Sequence, residues 1–319
     1  MSDVTIKPLS VPEAIRPEDA EGRTAGSFFA DALVENGIAP EDNDVLVVSS
    51  KVVSFFEGGL ICLADVRPSW KARFLGRAFE KDPRKMQVLM ETGRVLLAIP
   101  VKRIMRIPSV RQMMMERTAN PEAMLAGYTR LNGYTFIVPA HAAYLDEAGI
   151  DYTNSPEGYI TVLPPDPCAT AREIRDELRN RFGVELAVII ADTVTSVGRI
   201  GSQDVAIGYA GIDPMTRETF SDDLFGVPRS GGIDIVIDSI AGLAGLVMGQ
   251  TIELTPAALV RGVDHAPERP EDVGRGMGVL GYPPRAMGQM TLHVLIATAW
   301  FRILNLLSLQ RWPKKTRSV

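Results

Sequence analysis

The stretch ELAVIIADTVTSVGRIGSQDVAIGYAGI, from Glu185 to Ile212, contains the strand around which the predicted fold is arranged. Its first half is a continuous apolar run, which is typical of a strand buried on both faces. The run stops at a carboxylate and a hydroxyl, Asp192 and Thr193, and a glycine-rich loop with Arg199 follows. Because a strand end fixes a side chain while the next loop can reach a ligand, this junction indicates a functional site.

Helical and strand patterns are mixed on both sides of this stretch. Thr170 is the predicted N-cap of the preceding helix, Gly183 ends that helix, and Val184–Ile190 form the strand. Other helical patterns occur in Ala25–Gly37, 68–94 and IDSIAGLAGLVMGQ, and strand patterns in Asp44–Ser54, GYTFIVPAHAAYL and AALVRGV. The order lacks strict alternation and internal repeats, which favours an α+β fold with mixed sheets and packed helices.

Composition excludes several classes of protein. With 46% hydrophobic and 23% charged residues the chain is globular rather than disordered, and a net charge of -5 on a mixed surface argues against nucleic-acid binding. The two cysteines and three scattered histidines predict neither a disulfide framework nor a histidine zinc site. The first residues lack a signal-peptide pattern, so we expect a cytoplasmic protein.

Three regions are distinguished by composition. Residues 1–265 are the predicted catalytic unit, of one or two lobes, and 99–133 form a basic, Met-rich insertion that is better explained as a solvated face than as an anion-binding lid. Residues 266–319 are an extension with an apolar run from Leu292 to Leu309. Arg302 interrupts that run, which favours a buried or subunit-interface helix. Membrane contact through the tail QRWPKKTRSV is the less favoured alternative.

The polar residues near strand ends leave two interpretations open. Asp192 and Thr193 are suitable oxygen ligands for a hard divalent cation, but they could equally cap a turn. Asp151 precedes Thr153, Asn154 and Ser155, whose groups suit phosphate oxygens or water, although the same residues are common in turns. In the loop, Arg199 and its neighbouring glycines are suited to an anion.

Several motifs occur in one order between about Ile6 and Val263. They are DVLVVSSKVVSFFEGG, AGIDYTNS, LPPDPCATAREIRDEL, VIIADTVTSVGRIGSQDVAIGYAGI, DDLFG, LVMGQ and VRGV. In these motifs the chain resembles the gamma-glutamyl ligases that add glutamate to the precursor of coenzyme F420. The ordered set is far more specific than any single motif.

This resemblance implies a ligase that uses GTP (or ATP) and Mg²⁺ or Mn²⁺ to convert a carboxylate into an acyl phosphate, which the amino group of L-glutamate attacks. It assigns the metal to Asp151, Asp192, Thr193 and Gln250. It assigns nucleotide contacts to Val11, Pro12, Ser50, Lys51, Asn154, Met248 and Gly249. Arg199 and Lys51 would hold phosphate or acyl-phosphate oxygens, and the resemblance also implies a homodimer.

The chain departs from the family pattern at Phe55, Glu147, Ser196 and Gly198. These changes concern the substrate region more than the metal positions. We therefore expect an amide ligase that joins an amino acid, L-glutamate, to a carboxylate metabolite. The alternative is a non-catalytic descendant that binds a nucleotide or metabolite without turnover.

Overall fold

The fold is built around a five-stranded sheet in the unit Met1–Leu280, and a second unit comprises Gly281–Val319. The structure is a computed structural model that describes residues 3–130, 133–195 and 200–307. Its strands are β1 (Thr5–Leu9), β2 (Val45–Ser49), β3 (Leu60–Cys62), β4 (Leu97–Ile99), β5 (Thr135–Ala140), β6 (Ala143–Asp146), β7 (Tyr159–Thr161), β8 (Ala187–Thr195), β9 (Ser202–Ala210) and β10 (Ala257–Arg261). Its helices are α1 (Ala25–Glu35), α2 (Ser50–Phe56), α3 (Trp70–Ala78), α4 (Pro83–Thr92), α5 (Val101–Ile104), α6 (Pro108–Arg117), α7 (Pro121–Arg130), α8 (Pro167–Phe182), α9 (Val236–Met248) and α10 (Pro284–Leu307).

The central sheet has the strand order β1-β10-β2-β8-β9. β2 and β8 are parallel, and the other neighbouring pairs are antiparallel. Along β2, Leu46 and Val48 join one core cluster, whereas Val45 and Val47 join the other. Both faces of this strand are therefore buried, and the predicted α+β class with mixed sheets is confirmed.

Helices cover the two faces of this sheet. Phe29 and Leu33 of α1 and Leu178 of α8 are fully buried in the first cluster. Ile237 and Ala241 of α9 are fully buried in the second. Each large apolar side chain buried in this way contributes about 1.5–3 kcal/mol, so both helix layers hold the sheet in place.

The start of α8 differs from the prediction. Its N-cap is Asp166, whose side chain accepts a hydrogen bond from the Ala169 amide at 3.0 Å, and Pro167 takes the first helical position. Thr170 lies inside the helix instead, and its hydroxyl contacts Glu57. The predicted end is confirmed, since Gly183 adopts a left-handed conformation with φ +71.

Two strand boundaries also differ. The strand predicted over Asp44–Ser54 ends at Ser49, and the rest of the run forms α2 because its apolar residues are buried on all sides, a pattern that fits a buried helix as well as a strand. The strand predicted over Val184–Ile190 begins at Ala187 and continues to Thr195, because pairing with β9 extends to the partners Thr195 and Ser202. Asp192 and Thr193 thus lie within β8 rather than after its end.

Two smaller sheets accompany the central one. β3 pairs with β7, and β4, β5 and β6 form a three-stranded sheet. A third apolar cluster, which includes Leu89 of α4, Val138 of β5 and Ile160 of β7, packs beside them. α5, α6 and α7 occupy most of the predicted insertion at 99–133. The first unit extends to Leu280, whereas the boundary after residue 265 stays a prediction about domains.

The second unit contains the long helix α10. Every described side chain from Gln289 to Leu304 is exposed, so the predicted burial is not seen in this part of the apolar run, and the subunit-interface alternative stays a prediction. The tail that follows Leu307 lies outside the described residues.

In the part of the chain that the structure describes, no helix has both the length and the hydropathy of a membrane span.

Candidate functional site

A cavity of about 620 Å³ opens where β2 passes into α2 beside β8. Ten of the residues that the resemblance assigned to the metal, the nucleotide or phosphate oxygens line it: Val11, Ser50, Lys51, Asp151, Asn154, Asp192, Thr193, Met248, Gly249 and Gln250. Pro12 is exposed and is not part of the lining. Arg199 falls outside the described residues, as do Ser196 and Gly198.

The parallel pairing of β2 with β8 brings Ser50 next to Asp192. Ser49 and Ala191 are register partners, so the residue after each of them lies at the same edge of the sheet. Ser50, the first residue of α2, donates from Oγ to Asp192 Oδ1 at 3.1 Å. Carboxyl ends of adjacent parallel strands are where α/β sheets gather ligand-binding groups.

Lys51 links this edge to the loop that carries Asp151. Its Nζ contacts both Asp151 Oδ2 and the Thr153 carbonyl oxygen. The Thr153 amide and hydroxyl donate to Asp151 Oδ1 at 2.9 and 2.8 Å. Burial would raise the pKa of Asp151, but the hydrogen bond and charge of Lys51 outweigh it, so the pKa lies below its usual value. Asp151 is therefore ionised and oriented.

The pKa of Asp192 is shifted in the opposite direction. Burial raises its pKa to about 6, and the like charge of Asp151 adds to this, while the Thr193 amide, the Ser50 hydroxyl and Lys51 oppose it. At neutral pH Asp192 is thus a carboxylate whose charge is only partly compensated by protein groups. A further positive charge beside it would lower its free energy.

A third carboxylate, Asp204, completes an oxygen cluster that sequence reasoning missed. Thr193 and Asp204 are register partners on β8 and β9. Thr193 Oγ1 lies 2.9 Å from both Asp204 Oδ1 and Gln250 Oε1, and Gln250 Nε2 donates to Asp204 Oδ1 at 2.9 Å. One hydroxyl proton cannot serve two acceptors at once, so the cluster has more oxygen lone pairs than protons. The signal in the sequence was that Asp204 is the one charged residue of β9.

The oxygens of this region fit a hard divalent cation. Mg²⁺ and Mn²⁺ prefer carboxylate, hydroxyl and amide oxygens, which are the groups that Asp192, Thr193, Asp204 and Gln250 present. Within the described ranges, no three His, Cys, Asp or Glu side chains form a metal-binding group by themselves. The fit therefore depends on neutral ligands as well as on carboxylates.

Another part of the cavity wall is the turn that follows α9. Gly249 has φ +69 and ψ -175, a backbone conformation that is essentially restricted to glycine. Glu253 accepts from the Thr251 amide at 2.7 Å, and Asn154 Nδ2 donates to the Thr251 carbonyl at 3.1 Å. Asn154 therefore ties the loop of Asp151 to the turn after α9.

Two of the positions that depart from the family pattern lie in the lining. Phe55 presents a buried aromatic ring to the cavity. Glu147 contacts the buried Lys81 ammonium, and its other oxygen accepts from the Phe136 amide at 2.9 Å. The charge of Glu147 is thus compensated inside the protein and is directed to the neighbouring core rather than left open to a ligand.

Comparison with known proteins gives consistent matches. The family model described as F420-0:Gamma-glutamyl ligase matches residues 17–262. The chain is 32% identical to the coenzyme F420:L-glutamate ligase of Methanopyrus kandleri over 280 residues, which is 88% of this chain and 95% of that protein. It is 31% identical to the enzyme of the same name from Methanothermobacter thermautotrophicus, over 72% of this chain and 79% of that one. The corresponding protein of Methanosarcina mazei is 29% identical, over 73% and 80%.

Proposed function

The chain belongs to the F420-0:gamma-glutamyl ligase family, and from this premise we propose that it is a metal- and nucleotide-dependent amide ligase. It would join L-glutamate to a carboxylate metabolite, with GTP or ATP as co-substrate. The proposal carries over what the names of the relatives say of those proteins, namely that they are ligases for L-glutamate and coenzyme F420.

The observation that carries the proposal is the convergence of distant residues on one cavity. Ser50 and Asp192 are 142 positions apart, and Lys51 and Asp151 are 100 apart, yet each pair is in hydrogen-bond contact. A carboxylate with a pKa near 6 and a carboxylate with a lowered pKa lie in the same lining. Perturbed carboxylates that share a cavity with a lysine are typical of an active site.

The cation would be held by Asp192, Thr193 and Gln250, with Asp151 and the newly identified Asp204 completing the oxygen set. Mg²⁺ or Mn²⁺ at such a site supplies electrostatic compensation for phosphate charge. Lys51 is placed to exchange part of its contact with Asp151 for a phosphate oxygen, because its Nζ lies at the cavity wall beside the loop that carries Asp151 and Thr153.

The reaction has two transfers. An oxygen of the acceptor carboxylate forms a bond to the terminal phosphorus of the nucleotide, and the bond from that phosphorus to the bridging oxygen breaks to release a nucleoside diphosphate. The glutamate nitrogen, after losing a proton, then bonds to the acyl carbon, and inorganic phosphate leaves. The protein would hold the anions with Lys51 and exclude water with apolar walls such as Phe55.

Calorimetric titration tests the proposal directly. GTP and ATP are titrated into the protein with Mn²⁺ or Mg²⁺ and again with EDTA. We expect metal-dependent binding that weakens by more than about tenfold in Asp192→Asn. Asp238→Asn is the matched control, because burial also raises the pKa of Asp238 but this residue does not line the cavity.

Turnover is then measured by mass spectrometry with glutamate, nucleotide and a panel of carboxylate acceptors. A product that carries one added glutamyl group supports the ligase. Nucleotide binding without any product from acceptors that the relatives use would favour the non-catalytic alternative. Absence of metal-dependent nucleotide binding would contradict both the site and the proposed activity.

A further inference from the structure

Helix α10 exposes an apolar surface along its length. Leu292, Ile296, Trp300 and Leu304 recur at four-residue spacing and therefore lie along one side of the helix. Their exposed fractions range from 46% for Leu304 to 60% for Trp300. Thr298 and Arg302, also four residues apart, fall on the opposite side. The described part of α10 thus has a broad apolar face and a narrower polar one.

The charge of this unit is opposite to that of the rest of the chain. Gly281–Val319 contains six cationic and no acidic residues: Arg285, Arg302, Arg311, Lys314, Lys315 and Arg317. The remaining 28 cationic and all 39 acidic residues belong to Met1–Leu280. Four of the six cations follow directly after the described part of the helix, together with Trp312. A negatively charged chain therefore carries one strongly positive unit.

From these two properties we infer that the unit Gly281–Val319 binds the surface of an anionic lipid bilayer. The apolar side of α10 would lie in the boundary between headgroups and acyl chains, and the cations would contact lipid headgroups. Each Lys or Arg near an anionic surface strengthens binding by about fivefold. The inference concerns an interaction surface and is independent of the ligase proposal.

Charge decides between a bilayer and a second copy of the chain as the occupant of this surface. Two copies of a unit with six cations and no acids repel each other when their helices approach. An anionic bilayer offers the complementary sign over a wide area and accepts the apolar side at the same time. Exposed apolar side chains in the other unit, such as Leu224 and Phe225, have acidic neighbours in Asp222 and Asp223 and lack this complementarity.

Co-sedimentation with vesicles tests the inference on the full-length protein. Vesicles of phosphatidylglycerol and phosphatidylcholine are compared with vesicles of phosphatidylcholine alone. We expect sedimentation with the anionic vesicles that weakens as salt is raised. In a Trp70→Phe, Trp312→Phe background, Trp300 is the remaining tryptophan, and its emission should shift to the blue when anionic vesicles are added.

A matched pair of variants locates the contact. Ile296→Gln with Leu304→Gln should bind anionic vesicles at least about a hundredfold more weakly, because two large apolar side chains no longer enter the lipid. Leu224→Gln with Phe225→Gln removes as many exposed apolar side chains from the other unit and should bind like the parent. Circular dichroism checks that both variants keep their helices.

The contribution of the cations is tested separately with Lys314→Gln and Lys315→Gln together, which leaves the sequence of α10 unchanged. This variant should bind anionic vesicles about tenfold more weakly or worse. The inference is overturned if the full-length protein ignores anionic vesicles or binds both vesicle types equally without salt dependence. It is also overturned if the control pair at 224 and 225 loses as much binding. A second copy would be the occupant instead if the protein does not bind vesicles but self-associates in light scattering. In that case the Ile296 and Leu304 changes should abolish the self-association.

Discussion

Lys81 is a fully buried cation whose partner, Glu147, contributes to the cavity wall. Glu147 and Ala148 have φ values of 54 and 61, so the turn before Asp151 is left-handed at two non-glycine residues. Such a turn persists only where its surroundings hold it. The buried ion pair provides that constraint and so fixes the approach to Asp151.

Removing one member of this pair leaves a buried charge unpaired. We expect Lys81→Met to lower the free energy of unfolding by about 3–5 kcal/mol in a urea titration. Adding Glu147→Gln should restore much of the loss, because the amide oxygen keeps the hydrogen bond from Phe136 without a charge. A double variant that is no more stable than Lys81→Met would show that the ion pair is not what holds the turn.

Lys51 is a single residue whose role in the proposed reaction can be tested. Lys51→Met removes the cation between Asp151 and the proposed phosphate position, and we expect kcat/KM for glutamate ligation to fall about 10²–10³-fold. Mn²⁺ binding, followed by electron paramagnetic resonance, should change much less, because Lys51 is not an oxygen ligand. An equal loss of Mn²⁺ binding would mean that Lys51 acts only by positioning Asp151.

Residue types alone could identify part of this site. Asp151 and Asp192 stand out because each follows an apolar segment and precedes hydroxyl-bearing residues. Asp204 could not be assigned in the same way, since its contact with Thr193 depends on the register between β8 and β9. That register shifts at Ile190 and Ala191, two residues before Thr193, and no local pattern reports such a bulge.

Helix α8 packs so closely on β9 that the backbone at Gly208 leaves no room for a side chain. A Cβ on Gly208 would lie 2.5 Å from Pro167 Cβ and 2.7 Å from its carbonyl oxygen, at the first turn of the helix. We expect Gly208→Ala to lower the free energy of unfolding by about 1–3 kcal/mol, because helix and strand must separate. Gly242→Ala in α9 is the control.

The Cβ at position 242 would have its nearest neighbour at 3.9 Å, and alanine favours a helix. Gly242→Ala should therefore be neutral or stabilising by up to about 1 kcal/mol. Urea titrations of the two variants, measured side by side, check both signs. Equal stability of Gly208→Ala and the parent would contradict the close packing of α8.

Elements were predictable where their signals are local. The helix over Val236–Met248 and the glycine stop at Gly183 follow from spacing and from backbone conformation. The division of residues 44–54 into a strand and a helix could not be predicted in this way, because both segments are buried and largely apolar. Asp166 could have been ranked above Thr170 as the cap from the sequence, because Pro167 follows it directly and proline favours the first helical position.

At the scale of the whole molecule, a cation in the cavity would join segments that are far apart along the chain. Saturating Mn²⁺, at about 100 times its dissociation constant, should stabilise the protein by about 2.7 kcal/mol and raise the Tm by roughly 5 °C. EDTA should reverse the shift. Differential scanning fluorimetry of the parent and Asp204→Asn checks this, and the variant should lose most of the increase.

An unchanged Tm in the parent over a wide range of Mn²⁺ concentration would contradict a cation site that bridges these segments. At this scale the α+β class and the family were predictable, because the ordered motifs extend over most of the chain. The strand order could not be predicted, because β10 lies between β1 and β2 in the sheet and nothing in its sequence indicates which strands it pairs with.

The position of β10 also has a consequence for how the protein is made. The segment Ala257–Arg261 is synthesised long after β1 and β2, yet it is the strand that joins them. A nascent chain that has not yet reached residue 257 therefore presents the paired edges of both strands without their partner. The ribosome must complete nearly the whole first unit before the sheet closes, so translational pausing before β10 should prolong dependence on chaperones.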